Sequence, residues 1–190
     1  TICHHGGCMS SQASFDFDAT AQEADLLKRI MDRCDRVFIK KLSNNDRGWA
    51  ATPRTTNQAG VYIPADHREG GFFPPLKSID RGEPDKADIR VAEFETFWPQ
   101  QDGERKASRL RHFTSKGPEA HMTTLPKELF GELLPASFLV MGRQVQDGNF
   151  IYECLTIDSG SEEATLLQEL FDLDPDFLVG EFDPVELRTR

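Results

Sequence analysis

Short stretches in which apolar and polar residues alternate recur along this chain, and a two-residue period is typical of half-buried β-strands. β-Branched and aromatic residues dominate the same stretches, which strengthens the prediction. The predicted strands cover residues 37–39, 61–64, 72–73, 89–98, 108–113, 133–141 and 150–155. A turn with the sequence QDGN, residues 146–149, joins the last two.

Two other stretches have apolar residues at helical spacing. The first stripe consists of Leu26, Leu27, Ile30, Met31 and Cys34. A capping box of Thr20 and Glu23 is expected to begin this helix. The second stripe follows Ser161, a predicted N-cap, and consists of Ala164, Leu167, Leu170 and Phe171. Many strands, few helices and no strand–helix alternation predict a mainly β, barrel-like fold with flanking helices.

The connection between the first two predicted strands is roughly twenty residues long, and loops of that length in compact domains usually have a function. We call residues 40–60 the first arm. It carries cations, amides and Trp49, which we expect to be exposed, against one acid, Asp46. Cations suit DNA phosphates and amides suit base edges, so the arm is predicted to bind DNA. Its candidate contact residues are Lys40, Lys41, Ser43, Asn44, Asn45, Arg47, Trp49, Arg54, Asn57 and Gln58.

A second basic segment, residues 98–116, is named the second arm. It includes a turn after Pro99 and a strand on which Arg109 and Arg111 alternate onto one face. Trp98 suits either a packing position or a DNA contact, and His112 suits either a core position or a DNA contact. The candidate contact residues of this arm are Trp98, Gln100, Arg105, Lys106, Arg109, Arg111 and Lys116.

The candidates divide by chemistry, because forked or amide donors can read base edges and flexible cations can hold phosphates. The base-edge candidates are Arg54, Asn57, Gln58, Arg105 and Arg109. The phosphate candidates are Lys40, Lys41, Lys106, Arg111 and Lys116.

The net charge of −10 argues at first sight against a nucleic-acid partner, but the charges are segregated. Five basic residues stand against one acid between residues 36 and 61, and the same ratio recurs between residues 104 and 116. Residues 147–187 contain twelve acids and no Lys or Arg. If the two basic segments share one face, their local field attracts DNA in spite of the total charge.

The length of 190 residues suits one domain, predicted to cover residues 20–190 after a flexible segment of residues 1–19. No apolar run is long enough for a membrane span and no leader is recognised, so we expect a cytoplasmic location without membrane contact. Four cysteines fit reduced thiols better than a disulfide scaffold. The CHHGGC start lacks a partner cluster that could complete a zinc site.

Residues 40–64, KKLSNNDRGWAATPRTTNQAGVYIP, resemble a signature of the N-terminal effector domain of EcoRII-type restriction endonucleases, which is related in fold to the plant B-three domain. Residues 90–114, RVAEFETFWPQQDGERKASRLRHFT, resemble that family's second signature. The resemblance covers about residues 37–179. It implies an open β-barrel of the seven-stranded type, the DNA-binding pseudobarrel, whose two arms grip duplex DNA in the major groove at a G·C-rich site such as CCWGG.

Position by position, the resemblance covers the start and the close of the first arm and part of the second. The matching residues are Lys41, Ser43, Asn44, Asn45, Asp46, Gly48, Gln58, Gly60, Tyr62, Pro64, Arg105, Arg109 and Phe113. Two departures concern the contacts themselves. The acid that the family has near Ala107 is missing, and the first arm is longer by residues 49–56.

The resemblance implies a recognition domain without catalytic residues, cofactor or metal. A catalytic domain that uses Mg²⁺ is expected elsewhere in a longer bacterial polypeptide. One alternative is a nuclease site here, because Pro84-Asp85 and Glu104-Arg105-Lys106 match a PD…(D/E)xK pattern, although a turn is a poor place for it. The other alternative is a protein-interaction module that uses the acidic residues 147–187.

Overall fold

The structure is a computed structural model and describes residues 12–79, 82 and 88–189. The CHHGGC start lies outside the described residues. The helices are α1 (Gln12–Arg33), α2 (Asn44–Gly48), α3 (Ala65–Glu69), α4 (Lys127–Gly131), α5 (Glu162–Phe171) and α6 (Pro184–Arg188). The strands are β1 (Arg36–Lys41), β2 (Val61–Ile63), β3 (Lys77–Ile79), β4 (Ile89–Trp98), β5 (Glu104–Phe113), β6 (Ala120–Thr123), β7 (Phe138–Gln146), β8 (Asn149–Ile157) and β9 (Val179–Phe182).

The strands of the described residues form one curled sheet in the order β2-β6-β5-β4-β8-β7-β1-β9, with β3 paired to β4 outside that path. The β4–β8 pair is parallel, and the other pairs are antiparallel. The end strands β2 and β9 do not pair with each other, so the barrel is open. The mainly β, open-barrel prediction is confirmed.

The sheet has an apolar layer on each face. Inside the curl, aromatic residues such as Phe38, Phe94 and Tyr152 pack with the apolar side of β2, β5 and β6. Outside it, α1 and α5 cover β1, β7 and β8. The outer face of β2, β6 and β5 has no such helical cover in the described residues. This face is therefore the exposed part of the sheet.

Helix α1 buries its predicted stripe, with Leu27 and Ile30 fully inside. It begins at Gln12, so Thr20 lies within the helix rather than at its N-cap, and residues 12–19, part of the segment predicted as flexible, are helical. At α5 the predicted cap is confirmed, because the Ser161 Oγ accepts a hydrogen bond from the Ala164 N–H at 3.3 Å. No helix of the described residues is long and apolar enough to cross a membrane.

Some short elements differ from the sequence prediction. Phe72 and Phe73 form no strand; they are 1% and 2% exposed and fill the inner core. The seventh strand begins at Phe138 rather than at Leu133. Strands β3, β6 and β9 and helix α4 were not predicted, because segments of three to five residues carry too few periods to identify.

Strand direction places the two arms at one end of the sheet. β4 is parallel to β8, and both β8 and β1 are antiparallel to β7. β1 and β4 therefore run the same way. The first arm leaves the end of β1 and the turn of the second arm leaves the end of β4, so both emerge at the same end.

Candidate nucleic-acid interface

The base of the first arm is organised by a buried carboxylate, Asp46. The Ser43 Oγ accepts a hydrogen bond from the Asp46 N–H at 3.2 Å, and the Asp46 carboxylate accepts one from the Ser43 N–H at 2.9 Å. The Nζ of Lys40 lies 2.7 Å from Asp46 Oδ2. Asp46 Oδ1 accepts from the Tyr62 N–H at 2.8 Å and from the Gln58 amide at 3.0 Å. One side chain thus ties both ends of the arm together.

Lys40 and Asp46 also join β1 to β2, which are not paired as strands. The Tyr62 carbonyl accepts a hydrogen bond from Lys40 Nζ at 2.5 Å, and the Tyr62 N–H donates to Asp46. Two side chains therefore replace a strand ladder at this position. Lys40 is only 7% exposed. The structure thus places Lys40, a predicted phosphate contact, inside the protein, where its charge pairs with Asp46.

The charged state of this pair follows from its surroundings. Burial opposes ionisation of Asp46, but the charge of Lys40 and the hydrogen bonds from Lys40, Ser43 and Tyr62 outweigh it, so the pKa of Asp46 lies below its usual 3.8. Burial lowers the pKa of Lys40, and the charge of Asp46 counteracts that effect. Asp46 is therefore ionised throughout the neutral range.

The outer part of the first arm is held by Arg54. Its Nε donates to the Thr56 carbonyl at 2.7 Å, and its Nη2 donates to the carbonyls of Asn57 and Gln58 at 3.2 and 2.6 Å. The Gln58 amide donates to Asp46 and to the Gly60 carbonyl. Arg54 is exposed, and its Nη1 lies outside these bonds. The hydrogen bonds of Arg54 therefore hold the backbone of the arm in its observed shape.

Helix α4 lies between the two arms. Its Phe130 ring centroid is 5.5 Å from that of Trp49 in the first arm and 5.9 Å from that of Trp98 in the second. The Gln101 amide of the second arm donates to Glu128 of α4 at 3.3 Å. Trp49 is half-buried by this packing, so its predicted exposure is wrong. The arms are thus fixed relative to each other through one aromatic side chain.

The second arm presents its arginines on the outer face of the sheet. Arg105, Arg109 and Arg111 alternate with Ser108 and Leu110, which are buried inside. This confirms the face predicted for Arg109 and Arg111. Arg105 also lies over the Phe97 ring, with its Cζ 5.8 Å from the ring centroid.

Carboxylates of β4 oppose these arginines across the hairpin. Glu93 lies directly opposite Arg109 in the register, and its Oε1 is 2.9 Å from the Arg109 Nε. Glu95 forms an ion pair with Arg105. Glu95 also lies opposite Ala107, near which the resembled family has an acid. The count of charged residues over 104–116 did not include these two carboxylates, because they belong to the preceding strand, β4.

The exposed outer face continues from β5 across β6 to β2. The register aligns Arg111 with His121 and His121 with Tyr62, and the two rings are 6.0 Å apart. Burial lowers the pKa of His121, so its imidazole is neutral near pH 7. Tyr62 and His121 were not among the predicted contact residues. The alternation of 120–123 was the available signal, but it spans only four residues.

The end of the first arm and Arg109 lie on either side of β6. Arg109 is the register partner of Thr123. On the other side, a Cβ built on Gly60 would lie 2.0 Å from the Met122 carbonyl oxygen and 3.4 Å from the Thr123 Cα. The backbone of the first arm therefore approaches β6 closely, and Gly60 has no room for a side chain. The segment shaped by Arg54 precedes this contact directly.

Comparison with known proteins gives the fold. No family model matches the chain, and no curated protein matches it in sequence. Among solved structures, the B3 domain of the restriction endonuclease UbaLAI, crystallised with its cognate DNA, aligns with a TM-score of 0.53 over 86% of this chain and 99% of that one. The chain has a B3-like fold. The two sequences are 18% identical, so this likeness concerns the fold alone.

Two residues of the second arm that were candidates for DNA contact, Trp98 and Gln100, make hydrogen bonds within the B3-like domain. Trp98 is fully buried, and its Nε1 donates to the Thr96 Oγ1 at 2.9 Å. Trp98 therefore occupies a packing position, the first of the two alternatives given for it. The Gln100 amide donates to the Thr156 carbonyl at 2.7 Å and accepts from the Thr156 N–H at 2.8 Å, which fixes the turn against β8.

The other residues of the two arms that were candidates for DNA contact are exposed or half-buried. Lys41 donates to the Pro175 carbonyl at 2.9 Å, and Arg47 donates to the Leu133 carbonyl at 2.7 Å. The exposed members are Ser43, Asn44, Asn45, Arg54, Asn57, Arg105, Arg109 and Lys116. The half-buried members are Lys41, Arg47, Gln58, Lys106 and Arg111.

The alternative nuclease pattern lies only partly within the described residues. Asp85 lies outside them. Glu104 is 2.9 Å from Lys106 in an ion pair at the start of β5, in which Glu104 is exposed and Lys106 is half-buried. The described part of the chain contains no group of three or more His, Cys, Asp or Glu side chains that could hold a metal ion.

Proposed function

We propose that this chain binds duplex DNA sequence-specifically in the major groove, as the recognition and effector domain of an EcoRII-type restriction endonuclease. The observation that carries the proposal is the outer face of β5, which presents Arg105, Arg109 and Arg111 side by side, with Arg105 nearest the end of the sheet where the first arm emerges. The B3-like fold supports it, since the similar domain of UbaLAI was crystallised with its cognate DNA.

Each part of the interface has a chemical role in this proposal. Arg109 and Arg105 read guanine edges, and Asn57 offers an amide for adenine. Lys116, Lys106 and Arg111 hold phosphates and fix the register on the duplex. Asp46 makes no contact with DNA; it holds the base of the first arm in place.

The domain performs recognition, and a nuclease domain of the same polypeptide would supply Mg²⁺-dependent cleavage in a bacterial cytoplasm. The proposed site class is short and G·C-rich, as in CCWGG. The exposed amides and arginines of the two arms are compatible with such a site. The first arm is longer than in the resembled family, so this arm would make the recognised DNA sequence differ from that of related domains.

Binding of fluorescent duplexes tests the proposal. Wild type is expected to bind a CCWGG duplex more tightly than a scrambled duplex, and both affinities should fall with added salt as counterions are released. Arg109→Ala should weaken CCWGG binding by about tenfold, since a bidentate guanine contact contributes about 1–3 kcal/mol. Arg188→Ala is the matched control, because Arg188 is an exposed cation on α6 that pairs with Asp32 of α1.

The opposite results would be equally clear. Binding that is absent, or insensitive to salt and to Arg109→Ala, would contradict the proposal and favour a protein-interaction module built on the acidic residues 147–187. Cleavage of CCWGG plasmid by this chain with Mg²⁺ would instead favour the nuclease alternative.

A further inference from the structure

The ion pair between Glu93 and Arg109 has its closest approach at the inner nitrogen of the guanidinium. Glu93 Oε1 lies 2.9 Å from the Arg109 Nε. An arginine whose Nε faces a carboxylate can extend Nη1 and Nη2 toward another partner, and these two nitrogens can form a fork on the N7 and O6 of guanine. The pair is exposed, with 54% of the Arg109 side chain and 64% of the Glu93 side chain accessible.

We infer that Glu93 is a positioning residue that directs the fork of Arg109 toward a guanine and at the same time weakens sequence-independent binding. The inference rests on the proposed DNA-binding function. It assigns a specificity-determining role to an acid on β4, outside both arms.

The specificity effect follows from electrostatics. Binding to phosphates depends on net charge, and a carboxylate at 2.9 Å cancels most of the attraction that Arg109 would exert on a phosphate. A guanine edge carries no net charge, so its hydrogen bonds with Arg109 are weakened less than a phosphate contact when Glu93 neutralises the arginine. Glu93 therefore reduces binding to any duplex more than binding to the duplex with guanine at the right position.

The surroundings of Glu93 allow it to remain beside the duplex. Glu93, Glu95 and Asn149 line an open cleft of about 630 Å³ between β4, the Pro74–Pro75 segment and the β7–β8 turn. The carboxylate can thus stay hydrated when DNA covers Arg109. An ion pair this exposed contributes little to folding, so substitution of Glu93 should leave the domain intact.

The experiment starts from the chain itself, so that the recognised sequence need not be assumed. Wild type is used to enrich duplexes from a random pool, and the enriched and scrambled duplexes are then titrated at low and moderate salt. Failure to enrich any sequence would overturn the proposed function, and with it this inference.

Two substitutions separate charge from positioning. Glu93→Gln keeps an oxygen for the Arg109 Nε but removes the charge, so binding to the scrambled duplex should tighten by about two- to five-fold at low salt. The ratio of enriched to scrambled affinity should fall. Glu93→Ala removes both the charge and the oxygen that faces the Arg109 Nε, and should weaken binding to the enriched duplex by at least about five-fold.

A positional readout distinguishes positioning from a general effect. Glu93→Ala and Arg109→Ala should lose base preference at the same base pair, measured with duplexes substituted one position at a time. Glu169→Gln, an exposed acid on α5, gives the same change in net charge as Glu93→Gln and is the control. Equal behaviour of Glu93→Gln and Glu169→Gln on both duplexes, while wild type still selects a sequence, would overturn the inference and leave the proposed function standing.

Discussion

The Nζ of Lys40 and the Oδ2 of Asp46 lie 2.7 Å apart inside the B3-like domain, and each side chain also binds the backbone of Tyr62. The pair therefore connects β1, the first arm and β2. Because the Lys40 and Asp46 side chains are 8% and 0% exposed, neither charge can turn to water when its partner is removed.

Asp46→Asn is expected to lower the free energy of unfolding by about 3–5 kcal/mol, because Lys40 would keep a buried charge without its counterion. Urea denaturation followed by circular dichroism measures the change. Asp25→Asn, at an exposed position of α1, is the matched control and should cost less than about 0.5 kcal/mol. If both variants unfold at the same urea concentration, the buried pair does not have this role.

The free energy of unfolding should depend on pH through the ionisation of Asp46. The pKa of Asp46 in the folded protein lies below its usual 3.8, so its stabilising contribution is complete above that value and is lost as pH falls through the folded pKa. The unfolding free energies of wild type and Asp46→Asn should differ most near neutral pH and converge in acid. Urea series at several pH values test this, and a difference that stays constant into acid would speak against it.

Phe130→Ala should affect both arms, because its ring contacts Trp49 and Trp98. We expect a loss of about 3–5 kcal/mol in the free energy of unfolding and a red shift of the native fluorescence, since these are the two tryptophans of the chain. Phe177→Ala, in the outer apolar layer, is the control and should leave the emission wavelength unchanged. Unchanged emission in Phe130→Ala would show that α4 does not bridge the arms.

The buried thiols should be unreactive in the native protein. Burial raises the pKa of Cys34 to about 12 and that of Cys154 well above its usual value, and the thiolate is the reactive form. In a Cys3→Ser/Cys8→Ser variant, a disulfide reagent at mildly alkaline pH should modify Cys34 and Cys154 only after denaturant is added. Rapid labelling of two thiols without denaturant would contradict this burial.

Local patterns predicted the parts of the fold that carry their own periodicity. The alternation along β4 and β5 identified the exposed face of Arg109 and Arg111, and Ser161 identified the start of α5. The end of the first strand was predicted too early. The predicted strand stops at residue 39, but β1 continues to Lys41, so Lys40 shares the inner face with Phe38 and Leu42, where only a paired charge is stable.

Contacts between strands were not predictable in the same way. The pairing of Glu93 with Arg109 depends on the register of the hairpin, and this register follows from the length and shape of the turn at Pro99–Gly103. The short turn helix Pro99–Gln101 and the left-handed Asp102 set that geometry. A count of charges along one segment therefore overestimated the positive field of the second arm.

Asp46 receives hydrogen bonds from residues at both ends of the first arm, so the intervening residues hang from a fixed root. Residues 51–57 lie outside the inner core, so a change there leaves this root and the core in place. If the proposed DNA-binding function holds, the outer half of the arm can be exchanged, during evolution or by grafting, to change the target sequence without redesign of the barrel.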